Sequence, residues 1–137
     1  MGRRTKAREC AFQLLYQHEV GGEPMGAVIE GFWRLRAGTP EMRGMAERLA
    51  RGAESRVAEL DEAIAEAATN WRLDRIAPVD RTILRLGAYE LLAEAGTPAA
   101  VILDEAVELA KRFGEAESPA FVNGVLDAIH RRVRPQA

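Results

Sequence analysis

The chain has 137 residues, 47% of them hydrophobic and 29% charged, which fits one globular domain around a core and excludes intrinsic disorder. No apolar run approaches the ~18 residues that a membrane-spanning helix requires, and no long apolar stretch follows the basic start of the chain, so a cytoplasmic protein is expected. A single cysteine, Cys10, excludes an internal disulfide and a cysteine-built zinc site.

The net charge of −2 argues at first against a nucleic-acid partner, but its distribution matters more than its sum. Residues 1–16 hold Arg3, Arg4, Lys6 and Arg8 against Glu9, a balance of +3, so the remainder sums to −5. A basic end is joined to an acidic body.

The punctuation along the chain is helical throughout. Gly21-Gly22, Gly38, Gly96 and Gly114 each follow a periodic apolar segment, as helix stops do. Thr39-Pro40, Thr97-Pro98 and Ser118-Pro119 each set a capping hydroxyl before a proline suited to a first helical turn. The first helix is expected over about Thr5–Glu19, with Ala7, Cys10, Ala11, Leu14, Leu15 and His18 on one face. The second spans about Met25–Arg36, with Val28, Ile29, Phe32 and Leu35 apolar. Residues 41–69 hold two helices broken near Gly52 and Ser55, the second buried through Leu60, Ala63, Ile64 and Ala67. A connector over Asn70–Pro78 contains Trp71, read as a packing anchor.

Val79–Glu94 is apolar on more than one side, through Ile83, Leu84, Leu86, Gly87 and Leu91, which marks a central, buried helix. Ile102, Ala106, Leu109, Ala110 and Phe113 stripe the next helix. Val122, Val125, Leu126, Ile129 and Val133 stripe the last. Gly124 within that helix costs ~1 kcal/mol relative to alanine, which suggests close approach by a neighbouring helix or by a partner. The expected fold is all-α, a compact bundle of about seven helices.

Arg4, Arg8, Phe12 and Tyr16 lie four residues apart and form one ridge on the first helix. Guanidiniums neutralise phosphates and aromatic rings stack on unpaired bases, the chemistry of single-stranded RNA contact. The competing reading makes Phe12 core and the arginines a solvated end. Asp127 and His130 stand three apart, as in carboxylate-bridged di-iron bundles, but such sites need that pair on two helices and two further carboxylates. His18 has Leu15 where the second carboxylate would be, so no metal is expected. No nucleophile–base set, Walker motif or GxGxxG stretch occurs, and neither catalysis nor a cofactor is expected. Cys10, on an apolar face, reads as packing.

Several stretches together resemble the NusB family of bacterial transcription antitermination factors. Arg4-x-Lys6-Ala7-Arg8-Glu9-Cys10-Ala11 with Leu14-Leu15-Tyr16 is similar to its start, and Val79-Asp80-Arg81-x-Ile83-Leu84-Arg85-Leu86 with Tyr89-Glu90-Leu91 to its central helix. Thr97-Pro98, Asp104-Glu105-Ala106-Val107-Glu108-Leu109-Ala110-Lys111 with Phe113-Gly114, and Phe121-Val122-Asn123-Gly124-Val125-Leu126-Asp127 are similar to its closing segments. The resemblance covers essentially the whole chain in one order.

It implies a single NusB-like domain, 1–137, of two helical subdomains (about 1–70 and 71–137), with no catalytic activity and no cofactor. It also implies binding to boxA RNA of ribosomal RNA operons together with a small-subunit ribosomal protein, NusE, and through that assembly contact with other Nus factors and RNA polymerase. The RNA contact then falls on Arg3, Arg4, Lys6, Arg8 and Tyr16, with Asp80, Glu117 and Phe121 on the same RNA surface. Thr5 stands where some relatives carry another arginine, which would weaken phosphate attraction. Two other roles fit the same fold: a domain like that of ribosomal RNA cytosine methyltransferases, for which no Rossmann-type segment follows Ala137, or a homodimer with the RNA site masked.

Overall fold

The computed structural model describes residues 2–134. Among them lie seven α-helices, one 3-10 turn and no strand: α1 (Arg3–Gly21), α2 (Met25–Arg34), α3 (Pro40–Ser55), α4 (Val57–Ala67), the turn Leu73–Arg75, α5 (Pro78–Ala93), α6 (Ala99–Phe113) and α7 (Ser118–Val133). No helix among the described residues is long and apolar enough to cross a membrane. The all-α architecture agrees with the sequence reading, and the break expected near Gly52 and Ser55 falls at Arg56, between α3 and α4.

Local chemistry accounts for some of the helix ends. Gly22 takes a left-handed conformation, φ 79°, and its N–H donates to the His18 carbonyl, closing α1; only glycine adopts that geometry without steric cost. The Thr39 hydroxyl accepts from the Met42 N–H at 3.2 Å and caps α3. The other two expected hydroxyl caps form differently. Pro98, not Thr97, occupies the cap of α6, with no side-chain capping bond. Ser118 accepts backwards from the Glu115 N–H at 2.9 Å, and it lies inside α7 rather than before it. Helix α2 stops two residues earlier than its apolar period suggests, so Leu35 leaves the stripe and stands 85% exposed.

The helices form two compact units, one up to Ser55 and one from Arg56 onward. The first is built on α1, which packs most extensively against α3 and also against α2. Ala7 and Ala11 of α1 and Ala46, Ala50 and Ala53 of α3 are fully or almost fully buried, and such small side chains allow helices to approach closely. Leu14, Leu15, Val28, Ile29, Phe32 and Leu49 fill the rest of the core.

The second unit is arranged around α5, which packs against α4, α6 and α7. Ile83, Leu84, Leu86, Ala88 and Leu91 of α5 are buried together with Leu60, Ile64, Ile102, Leu126 and Ile129. A Cβ on Gly87 would lie 2.7 Å from Leu126 Cδ1, so the glycine is what lets α5 and α7 come together there. At Gly124 a Cβ would meet nothing within 4 Å. Close helix approach thus belongs to Gly87 and not to Gly124, where helix propensity alone suggests it. Arg85 holds Asp61 of α4 through two bonds of 2.7 and 2.9 Å, and Arg132 of α7 reaches Glu66 of α4 at 2.8 Å. These ties put α4 in the second unit, so the division falls at Ser55/Arg56 rather than near residue 70.

Beyond α7, Arg134 donates to the carbonyls of Glu90, Leu91, Glu94 and Thr97 at 2.6–3.1 Å. One guanidinium therefore serves four carbonyls at the C-terminal end of α5 and in the loop after it, of which those of Glu90 and Glu94 also accept the N–H groups of Glu94 and Thr97.

Candidate nucleic-acid interface

Helix α1 carries its cations in its first turns. Arg3, Arg4 and Lys6 are exposed, no acidic residue lies in the first turn, and Gly2 provides no side-chain cap. Cations at a helix N-terminus oppose the macrodipole by typically 0.3–1 kcal/mol each. The N-terminal amides and three cations thus superimpose their positive potentials on one exposed end. A sequence that breaks a local stability rule in this way points to a functional site.

The ridge Arg4–Arg8–Phe12–Tyr16 does not form one exposed surface. Each step of four residues advances about 40° beyond a full turn, so three steps sweep roughly 120° around the helix. Arg4 is exposed, Arg8 and Phe12 are 2% and 3% exposed, and Tyr16 is half-buried. Arg8 is therefore held inside the fold, away from where a phosphate would approach, and Phe12 is core. The Tyr16 ring stacks on Phe12, centroids 5.9 Å apart at 29°, which leaves part of the tyrosine at the surface on a fixed base. Cys10 is buried, and burial, with Glu9 adding to it, pushes its thiol above its ordinary range; such a thiol is unreactive.

Asp80, Glu117 and Phe121 lie together in the second unit, where they line a half-open cleft of about 240 Å³ with Trp71, Arg75 and Glu115. Trp71 is 53% exposed, and its ring meets Phe121 edge-on, centroids 5.7 Å apart at 66°. The residue expected to be a packing anchor is instead a wall of this cleft. Its setting in the polar run Thr69-Asn70-Trp71-Arg72, outside any helical period, is the signal for exposure. Arg75 and Glu115 give no such signal, because only the packing of the 3-10 turn beside the start of α7 brings them to Asp80.

Acidic side chains on α6 and α7 are engaged in ion pairs, among them Asp127, the acid weighed as a metal ligand. Asp127 pairs with Arg131 at 3.0 Å, and Glu108 with Lys111 at 3.3 Å. Among the described residues no three His, Cys, Asp or Glu side chains come together as a metal site would need.

The NusB family model matches residues 5–131. The chain belongs to the NusB family. It is 54% identical over 129 residues to the transcription antitermination protein NusB of Sorangium cellulosum (strain So ce56), covering 94% of this chain and 92% of that one. Among solved structures it resembles T. maritima NusB with a TM-score of 0.88 and 36% identity, covering 98% of this chain and 94% of the other. It also resembles a chain from the crystal structure of the antitermination factors NusB and NusE in complex with double-stranded RNA, with a TM-score of 0.88, 28% identity and coverage of 96% and 98%. The whole described fold of this NusB family member thus has counterparts in known structures, both units included.

Proposed function

We propose that this chain is a transcription antitermination factor that binds boxA RNA of ribosomal RNA operons together with NusE, and that it acts by binding alone, without a reaction of its own. The observation that carries the reading is the exposed trio Arg3, Arg4 and Lys6 at the uncapped N-terminus of α1. It is a concentration of positive charge that costs helix stability and that a bound anion would offset. Tyr16, supported by Phe12, offers a partly exposed ring on the same helix for stacking on a base. Family membership, and a relative solved with NusE and RNA, agree with this. In the cell, the complex with RNA and NusE would join the other Nus factors on RNA polymerase in the cytoplasm.

The test is a titration of boxA RNA at several salt concentrations. Replacing Arg3, Arg4 and Lys6 together by alanine should weaken binding and flatten the dependence of log affinity on log salt by roughly 2, about 0.7 for each single-strand phosphate that is no longer neutralised. Thermal stability should hold or rise, because three cations leave a helix N-terminus. Unchanged affinity and an unchanged salt slope would overturn the assignment.

A further inference from the structure

Helix α2 ends at Arg34, the exposed Leu35 caps it, and Arg36 comes next in the chain. The Arg36 guanidinium lies 4.1 Å from the centroid of the buried Phe32 ring, yet the residue is exposed. A cation held against a ring keeps its planar fork of donors in one place, which suits bidentate recognition of a phosphate. Arg34, two residues earlier, is different: it pairs with Glu30. Among the described residues Arg36 makes no ion pair and no hydrogen bond, although Glu23 and Glu30 line the same open groove of about 400 Å³. The groove also places Arg36 beside α1, because Gln17 forms part of its wall. Lys6, Cys10, Gln13 and Gln17 follow the i, i+4, i+7, i+11 spacing of one helix flank. The Cys10 thiol registers the same arrangement: burial and then Glu9 push its pKa up, while Arg36 and Lys6 both pull it down. A cation from α1 and one from beyond α2 therefore converge on one flank.

We propose that Arg36 is a further phosphate contact for single-stranded RNA, standing beside Lys6 on the flank of α1 that faces α2, with its guanidinium held ready on the Phe32 ring. The inference deepens the reading above, in which RNA meets the cations of α1, and rests on it. It widens the contact from one helix to two. Tyr16 stands six residues from Cys10, about 120° away around the helix, so the strand finds a stacking ring on one flank of α1 and fixed charge on the other. An acidic protein segment would be drawn to the same guanidinium, and that is the competing outcome.

The test measures boxA RNA affinity against salt concentration for the full chain and its variants. Arg36→Ala should weaken binding about three- to tenfold and flatten the slope by roughly 0.7, the share of one single-strand phosphate. Arg36→Lys, which keeps the charge, should keep the slope. Arg34→Ala, whose charge Glu30 already balances, should leave the slope unchanged. If alanine at position 36 lowers the melting temperature, Arg36→Gln, which keeps more of the stem over Phe32, repeats the measurement. Unchanged affinity and slope on loss of the Arg36 charge, or an equal loss in Arg34→Ala, overturns the proposal. So does weakened NusE binding with RNA binding intact, which would make Arg36 a protein contact. If Arg36→Ala is silent while the triple change at Arg3, Arg4 and Lys6 weakens RNA binding, this contact falls and the antitermination reading stands. If the wild-type chain binds no boxA RNA, both fall.

Discussion

Phe12 and Tyr16 are neighbours on α1 with stacked rings, yet their burial assigns them different work. Phe12 is 3% exposed, and Phe12→Ala should destabilise the protein by about 3–5 kcal/mol in chemical denaturation, as large-to-small core changes do. Tyr16→Ala should instead remove about 1–3 kcal/mol of boxA affinity, the worth of one stacked base, with a smaller loss of stability. Equal loss of stability in the two variants, with RNA binding intact, would make Tyr16 a core ring. The sequence pairs these residues by spacing but does not separate them. A four-residue step drifts around the helix, and where the drift carries a side chain into the core depends on the packing of α3, which the local sequence of α1 does not encode. Arg8 shows the same limit: its residue type argues for solvent, and its place on the helix puts it inside.

At the scale of helices, the two glycines Gly87 and Gly124 carry opposite expectations. Gly87→Ala sets a methyl 2.7 Å from Leu126 Cδ1 in a fully buried seam and should cost about 1–3 kcal/mol by overpacking. Gly124→Ala meets open space and should gain up to ~1 kcal/mol of helix propensity; guanidinium unfolding curves of the two variants check both signs. Helix positions are the most legible feature of the chain, because apolar periodicity and Gly/Pro punctuation are local signals. Termini are less so: Leu35 fits the stripe of α2 yet lies past its end. Hydroxyls before prolines predict three caps, and the backbone uses one in that way, at Thr39.

At the scale of the whole molecule, charge is partitioned by unit. Up to Ser55 the chain holds nine Lys and Arg against seven Asp and Glu, and from Arg56 onward ten against fourteen, so the two units carry +2 and −4. The imbalance between a basic start and an acidic body is visible in composition alone. The boundary is not, because α4 joins α5 and α7 through Asp61 and Glu66, and such pairings cross long stretches of sequence. The candidate RNA cations are legible as residue types, and the family resemblance names them. The cleft is not legible as a whole, since Trp71, Asp80 and Phe121 meet only in three dimensions. Arg134 provides a test at this scale. Arg134→Ala strands the carbonyls of Leu91 and Thr97 and leaves those of Glu90 and Glu94 with only their backbone donors, and should lower stability by about 1–3 kcal/mol, the cost of unsatisfied groups. Thermal unfolding would register it, and an unchanged melting temperature would mean that water serves those carbonyls equally well.

That clasp also sets an order in time. During synthesis the first three helices are complete in sequence once Ser55 has left the ribosome, but the carbonyls of Leu91 and Thr97 wait for Arg134, some 80 residues later. At the usual 5–20 residues per second the interval is roughly 4–16 s. Through that interval the nascent chain presents a finished basic unit and an unfinished acidic one.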